Sequence, residues 1–214
     1  MPDTTHVTYL FDPLCGWCYG ASPILQNLAS RPEFTVELLP TGLFAGEGAR
    51  PMDAHFAAYA WSNDQRIARL TRQIFSDDYR RAVLGDHSRL LDSGPATLAL
   101  TAVSLTDPTR EMEALKAIQR ARYVDGRDNT SRDVLVMVLM GLGLQTAADR
   151  FLAPDEAVLD AHRQRIATAR ATMHRFNADG VPTLIVGAGE NRRRLSASAL
   201  MAGIDTLLSH LQAA

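Results

Sequence analysis

The chain has 214 residues, of which 46% are hydrophobic and 21% are charged, and its formal net charge is −2. This length can bury a full hydrophobic core without disulfide staples, and the near-neutral charge gives no reason to expect nucleic acid or an anionic membrane surface as a partner. The strongly apolar, uncharged stretch at residues 134–144 is about half as long as a membrane-spanning helix requires.

The segment before the first strand contains neither a basic stretch nor a long apolar stretch, so it does not resemble a secretory signal. We therefore expect a cytoplasmic protein, or a periplasmic one if the sequence is the processed form of an exported precursor. In a reducing cytosol, a pair of cysteines is more often catalytic, redox-sensing or metal-binding than structural.

The first elements predict a β-α-β unit. Residues 7–11 form an apolar run typical of a short strand, and a helix with a mainly apolar face follows Cys15. Residues 34–39 predict a second strand, which Pro40 ends. Short connections between such elements favour parallel strands and a right-handed crossover.

Helical patterns then recur over residues 52–179, where no stretch is convincing as a strand. In one of the predicted helices, Ile67, Leu70 and Ile74 share a face. Residues 134–144 predict a helix that is apolar on all sides and therefore buried inside a helical bundle.

Strand character returns at residues 181–187, and residues 192–195 predict an edge strand that pairs back onto it. Ser196 is placed to cap a final amphipathic helix. The predicted fold class is α/β, with a β-α-β … β-β-α core that is interrupted by a large all-α insertion.

The two cysteines of the chain, Cys15 and Cys18, lie between the first strand and the helix that follows it. Unpaired N–H groups and the positive end of the helix dipole stabilise a thiolate at the first position. The second cysteine lies one helical turn further on, within reach for a disulfide. Cys15 is thus the predicted nucleophile and Cys18 the predicted resolving cysteine.

A metal site is the less favoured interpretation of this pair. A zinc ion needs two further ligands, and the chain has no second C-x-x-C and no H-x₃-H, unless two chains share one ion. We expect no metal and no organic cofactor, only the redox-active disulfide between Cys15 and Cys18.

The residues between the cysteines, Gly16 and Trp17, are the predicted tuning positions. Neither supplies positive charge, so the couple should be less oxidising than one with a histidine there. Trp17 is expected to be partly exposed as an apolar contact for a substrate, with ordinary local packing as an equal alternative. Glu37 could relay protons beneath the disulfide, and Asp12 could do so or cap the turn; the structural alternative is favoured for both.

The sequence FDPLCGWCYG at residues 11–20 and the segment Val181-Pro182-Thr183 before a buried strand carry a resemblance. Together with the order of elements, they resemble the thioredoxin superfamily, and more closely its DsbA-like, FrnE-like branch. The resemblance implies that the Val181–Pro182 bond is cis, that it faces the cysteines, and that this backbone edge binds an extended substrate.

The same resemblance implies a thioredoxin-like core of residues 1–50 and 179–214 and an inserted helical domain of residues 51–178. It also implies a thiol–disulfide oxidoreductase or isomerase that acts on protein or small-molecule thiols and disulfides through a mixed disulfide. Glutathione is the candidate reductant, and a redox partner would recycle the pair.

Two other functions compete with this one. A glutathione-dependent transferase or isomerase of the kappa-class type shares the core and the insertion but does not need the second cysteine. A non-catalytic holdase would bind peptides at the apolar surface near Trp17. The direction of the reaction and the physiological substrate are not encoded in any motif, and the apolar helices of the insertion could bury the surface of a homodimer.

Overall fold

The computed structural model of the chain describes residues 4–212. Its strands are β1 (Thr5–Phe11), β2 (Phe34–Pro40), β3 (Arg50–Pro51), β4 (Leu90–Leu91), β5 (Thr183–Val186) and β6 (Arg193–Leu195). Its helices are α1 (Gly16–Ala29), α2 (Ala54–Thr71), α3 (Gly94–Thr106), α4 (Glu111–Tyr123), α5 (Arg132–Gly141), α6 (Gln145–Leu152), α7 (Glu156–Arg175), α8 (Ala197–Met201) and α9 (Ile204–Gln212), with a π-helical segment at Tyr79–Leu84.

A four-stranded mixed sheet in the order β2-β1-β5-β6 holds the N-terminal motif. β1 runs parallel to β2 and antiparallel to β5, which in turn pairs antiparallel with β6. β1 is central and apolar, and its successive side chains point to opposite faces. Tyr9 and Phe11 stack on one face, with ring centroids 5.3 Å apart. The sheet therefore has a buried core on both sides, and only residues 12–14 separate the end of β1 from Cys15.

The two faces of the sheet are covered by different helices. On the side of Tyr9, Leu25 and Leu28 of α1 belong to a core that continues into the helical insertion. On the other side, Leu10 packs in a smaller cluster with Ala169 of α7. The α/β architecture with a helical insertion between β2 and β5 is confirmed. The predicted domain limits stay a prediction, and residues 1–3 and 213–214 of the predicted core lie outside the described residues.

Two details of the predicted insertion are wrong. Strand β4 lies within residues 52–179, which were expected to contain no strand, and it pairs antiparallel with β3, which lies just before that segment. Each has only two residues, which is too short for an alternating pattern to be visible in the sequence. The predicted face of Ile67, Leu70 and Ile74 is also wrong, because Ile67 is fully buried beside the buried Asp64 while Leu70 and Ile74 are exposed. Ile74 lies beyond the end of α2, because the C-cap residue Arg72 adopts a left-handed backbone conformation that ends the helix.

The expectation of a completely buried helix at residues 134–144 is corrected too. In α5, Leu135 and Leu139 are fully buried, whereas Met137 and Met140 are 53% and 50% exposed. The helix covers the bundle with one stripe and turns its methionines outward. An all-apolar composition therefore does not enforce burial on all sides.

The predicted final helix is divided in two. Gly203 has a φ of +103° and separates α8 from α9. Only glycine adopts this conformation at little cost. Among residues 4–212, no helix is both long enough and apolar enough to cross a membrane.

Candidate active site

The first turn of α1 positions the two cysteines. Cys15 is the N-cap residue, with extended backbone angles, and no side chain caps the helix there. Its N–H donates to the carbonyl of Asp12 at 3.1 Å, and its own carbonyl accepts from the N–H of Tyr19 at 3.0 Å. The Cys15 sulfur therefore stands at the end of the helix where N–H groups remain unpaired and the dipole is positive.

The predicted partner segment lies directly against Cys15. The Cys15 thiol donates to the carbonyl oxygen of Val181, with 3.7 Å between Sγ and oxygen. The peptide bond between Val181 and Pro182 is cis. The fold thus brings together two segments that are 166 residues apart.

Cys18 has a different environment from Cys15. Both are free, buried thiols, but Cys15 is 8% exposed and lines a cavity, whereas Cys18 is 1% exposed and lines neither of the two cavities that Trp17 lines. Burial raises the pKa of Cys18 well above its usual value, and hydrogen bonding and like charge from Cys15 raise it further. The hydroxyl of Tyr9 donates to the Cys18 carbonyl at 3.3 Å and fixes this turn from the sheet. Cys18 is therefore held as a protonated thiol beneath Cys15.

Asp12 caps the turn before the helix. One of its carboxyl oxygens accepts from the N–H of Leu14 at 2.9 Å, and the other accepts from the N–H of Phe44 at 3.1 Å and the hydroxyl of Ser93 at 2.7 Å. Burial raises the pKa of Asp12, and these hydrogen bonds act against that rise. Its role is to tie the cysteine turn to the loop after β2 and to the start of α3.

Glu37 does not lie beneath the cysteines. It is exposed and accepts a hydrogen bond from the Thr8 hydroxyl at 3.0 Å. Thr8 precedes Tyr9 in β1, so its side chain points to the opposite face of the sheet. Tyr9 reaches Cys18 from the other face. The proton-relay hypothesis for Glu37 is therefore not supported by its position.

Cys15 lines a cavity of about 300 Å³ between α1 and the helical insertion. Most of its wall is apolar or aromatic and includes Trp17, Phe44, Phe56 and Tyr59. This volume lies at the lower end of the range for small-molecule sites, which are about 300–1,000 Å³. Arg50 also lines the cavity, with its guanidinium 5.4 Å from the centre of the Phe56 ring. The cavity combines a sulfur nucleophile, apolar contacts and a cation near its wall.

A polar cluster forms the inner wall of this cavity, and sequence reasoning missed it. The Tyr79 hydroxyl donates to a carboxyl oxygen of Asp64 at 2.9 Å, and the Tyr123 hydroxyl donates to the carbonyl of Leu14 at 2.7 Å. The buried Arg122 guanidinium lies 5.5 Å from the centre of the Tyr79 ring. The only signal in the sequence was that Asp64 precedes Ile67 by three residues, which places both on one helical face.

Asp64 is the titratable member of the cluster near neutral pH. Burial raises the pKa of Asp64 from 3.8 to about 7, and the Tyr79 hydrogen bond and the positive charge of Arg122 lower it in part. A carboxyl group that changes charge near neutrality thus stands in the same cavity as Cys15.

A second, more open cavity of about 530 Å³ lies on the other side of Trp17. It is lined by Pro182 and by residues of α8, and Trp17 and Val181 belong to both cavities. Trp17 is half-buried, as predicted, with the Arg66 guanidinium 5.6 Å from its ring centre. Of the predicted site residues, Cys15 and Gly16 line the first cavity, Pro182 lines the second, Trp17 and Val181 line both, and Cys18 is buried and lines neither.

Comparison with known proteins identifies a matching family and similar solved structures. The family model of the DSBA-like thioredoxin domain matches residues 6–212. No relative was found among curated protein sequences. Among solved structures, the chain is similar to the cytosolic disulfide reductase DsbM from Pseudomonas aeruginosa, with 33% identity, coverage of 98% of this chain and 100% of that chain, and a TM-score of 0.85.

Two further structures extend this comparison. DsbM from Pseudomonas aeruginosa with GSH gives 33% identity over 97% of this chain and 98% of that chain, with a TM-score of 0.84. The oxidoreductase DsbA from Xylella fastidiosa shares the fold alone, with 18% identity, coverage of 99% and 88%, and a TM-score of 0.55. The thioredoxin-like fold with a helical insertion is therefore confirmed, and the chain belongs to the DSBA-like thioredoxin domain family.

Proposed function

We propose that the chain is a thiol–disulfide oxidoreductase that works in the direction of disulfide reduction, with Cys15 as the nucleophile and Cys18 as the resolving thiol. The observation that carries the thiol exchange is the asymmetry of the two thiols, and the reductive direction is proposed from the similarity to a cytosolic disulfide reductase. Cys15 caps a helix and lines a cavity, whereas Cys18 is sealed beneath it with a raised pKa. A reactive thiolate and a protected thiol within one turn are what two-step thiol exchange requires.

The reaction runs in two exchanges. The Cys15 thiolate attacks one sulfur of the substrate disulfide, so a bond from Cys15 to that sulfur forms as the substrate bond breaks, and the leaving thiolate takes up a proton. Cys18 then loses its proton and attacks the Cys15 sulfur, which releases the second substrate thiol and leaves the Cys15–Cys18 disulfide. Two electrons pass from the pair to the substrate.

Recycling needs an external thiol, and glutathione is the reductant we propose. Two glutathione molecules would supply the two electrons and leave as glutathione disulfide. The cavity beside Cys15 has the size of a small-ligand site, and the similar protein DsbM has been solved with GSH. Because that relative is called cytosolic, we propose the same compartment for this chain.

The substrate is proposed to dock along the second cavity. The carbonyl of Val181 lies beside the Cys15 sulfur, and Pro182 and Trp17 line the adjoining open surface. An extended peptide next to Val181 would place its own disulfide near Cys15. Isomerase activity uses the same mixed disulfide and stays a prediction, as does a homodimer.

The test compares single cysteine variants in the reduction of a model disulfide such as insulin. Cys18→Ala should accumulate a mixed disulfide on Cys15 that is visible by mass spectrometry under non-reducing conditions, and its turnover should fall by a factor of 10² or more, because the resolving step is lost. Cys15→Ser should abolish both the adduct and the turnover.

Other outcomes distinguish the competing functions. A glutathione transferase or a holdase would keep its activity in Cys18→Ala, since neither needs the second thiol. Unchanged insulin reduction by Cys15→Ser would overturn the proposal. Asp133→Asn, on the exposed face of α5, serves as the matched surface control.

A further inference from the structure

The helix that carries the cysteines touches α2 at two glycines. A methyl group added at Gly16 would lie 2.4 Å from a carboxyl oxygen of Asp64, and one added at Gly20 would lie 2.5 Å from Ile67. Both distances are too short for a carbon contact. The space that a side chain at the first position between the cysteines would fill is therefore occupied by the carboxyl group of Asp64, which the helical insertion supplies.

This carboxyl group is held in place from one side and directed toward the cysteine helix on the other. Its Oδ2 accepts from the Tyr79 hydroxyl at 2.9 Å, while its Oδ1 is the atom next to Gly16. The other titratable or charged groups that line the same cavity are Arg50 of β3, Tyr59 of α2, Arg122 and Tyr123 of α4, and Cys15 at the N-cap of α1. Of these, Arg122 lowers the pKa of Asp64. Asp64 and Cys15 line the same cavity, so a ligand at Cys15 is exposed to the charge of Asp64.

We propose that Asp64 tunes the redox couple of Cys15 and Cys18, taking the place of the side chain that Gly16 lacks and making the pair a stronger reductant. This proposal rests on the proposed function. A carboxylate beside the first turn of α1 repels the Cys15 thiolate and competes for the same positive helix end. The disulfide carries no charge, so the carboxylate disfavours only the reduced state.

Asp64 does not change the electron balance of the exchange between the Cys15–Cys18 pair and the substrate disulfide. The dithiol gives two electrons and two protons to the substrate disulfide, which becomes two thiols, and Cys15 and Cys18 become a disulfide. Asp64 neither bonds to sulfur nor is consumed. It is therefore a positioning and tuning residue, and a redox equilibrium measures its effect directly.

The primary test is the equilibrium constant of the Cys15–Cys18 pair with glutathione and glutathione disulfide, read after acid trapping. At pH 8, Asp64→Asn should shift this equilibrium constant about tenfold toward the dithiol relative to the unaltered chain. This shift corresponds to a reduction potential that is higher by about 30 mV. Asp133→Asn removes an exposed carboxylate of α5 and should leave the constant unchanged.

A second readout does not depend on turnover. In a Cys18→Ala background, Cys15 is the only cysteine in the chain, and its alkylation by iodoacetamide reports the thiolate. Asp64→Asn should speed alkylation at pH 8 several-fold, and Asp64→Glu, which keeps the charge, should stay closer to the unaltered chain. If the role of Asp64 were purely structural, the alkylation rate of Cys15 would not depend on whether residue 64 carries a charge.

The two glycines provide a matched pair of packing variants. Gly16→Ala must displace the Asp64 carboxyl group, whereas Gly20→Ala must displace Ile67 at the same helix–helix contact. Gly16→Ala should shift the glutathione equilibrium in the same direction as Asp64→Asn, and the two changes together should be less than additive. Gly20→Ala should lower stability without shifting the equilibrium.

The outcomes separate this inference from the proposed function. If the unaltered chain forms no reversible Cys15–Cys18 disulfide, the proposed function fails. If it forms one, and Asp64→Asn leaves its equilibrium constant within twofold, only the role of Asp64 fails. If Asp64→Asn does not fold, the glycine variants provide the test. Equal glutathione equilibrium constants for Gly16→Ala and Gly20→Ala would then overturn the tuning role of Asp64.

Discussion

Cys15 and Cys18 are only three positions apart, but the fold places their thiols in different surroundings. Cys15 faces a cavity and the carbonyl of Val181, whereas Cys18 is covered by the core and held by Tyr9. Burial raises the pKa of Cys18, so in the proposed mechanism its proton must be removed during the second exchange. The proposed division of roles between nucleophile and resolving thiol therefore rests on cavity access and burial as well as on the motif.

The charge of Asp64 should be visible in the pH dependence of stability. Its pKa in the folded chain is about 7, against 3.8 for the unperturbed group, so between these values the folded state holds a proton that the unfolded state has lost. Stability from this group is therefore lost as the pH rises from 4 through 7. Asp64→Asn removes this dependence, and its free energy of unfolding should exceed that of the unaltered chain by about 2–4 kcal/mol at pH 8.

Urea unfolding at pH 5 and pH 8 checks this prediction. Asp12 and Glu111 also have raised pKa values, so they add to the pH dependence of both proteins. The informative quantity is therefore the difference in the free energy of unfolding between Asp64→Asn and the unaltered chain. A difference that is equal at both pH values would contradict the assignment.

The cysteine half of the site could be predicted from sequence because its determinants are local. A strand, a turn and a helix place Cys15 and Cys18 within a few residues, and the resemblance supplied Val181 and Pro182. Asp64 and its partners were missed for a physical reason. They come from separate helices, and a single acidic residue on an apolar helical face is not distinguishable from a solvated one without knowing what packs against it.

At the level of elements, Arg165 is one of the residues by which α7 ties the insertion to the sheet, and its side chain is only 15% exposed. Arg165 donates to the carbonyl of Leu38 in β2 at 2.8 Å and to the hydroxyl of Ser104 in α3 at 3.1 Å, and it pairs with Glu111 at the start of α4. The ion pair is largely buried. Three elements thus converge on one guanidinium group.

Arg165→Met should destabilise the chain by about 3–5 kcal/mol, because it leaves the Glu111 carboxylate buried without its partner. Adding Glu111→Gln should recover part of this loss. The matched control is Arg163→Met in the same helix, which breaks an exposed pair with Asp160 and should cost less than about 1 kcal/mol. Equal losses for the two arginine variants in chemical denaturation would contradict the role of Arg165.

Two of the errors in the predicted elements share one cause. For α5, and for the face of Ile67, Leu70 and Ile74, the pattern identified apolar residues correctly but not which of them the neighbouring elements cover. Met137 and Met140 remain exposed because the bundle covers one stripe of their helix. Local periodicity predicts that a helix forms, and tertiary packing decides how much of it is buried.

For the whole molecule, the insertion forms part of the wall of the candidate active site. The sheet and α1 supply the cysteines, and the insertion supplies the opposite wall of the cavity, including Asp64, Tyr79 and Tyr123. We therefore expect the inserted helices to set the substrate and the potential of the cysteine pair. The motif alone predicts only thiol–disulfide chemistry, because it contains none of the residues of this opposite wall.

The most direct test of this account is the reduction potential of the Cys15–Cys18 pair in glutathione buffers at pH 7. We expect a reversible intramolecular disulfide with a potential in the range of cytosolic glutathione, about −220 to −320 mV. A pair that forms no such disulfide, or one with a potential near that of a strong oxidant such as DsbA at about −120 mV, would contradict a role in disulfide reduction.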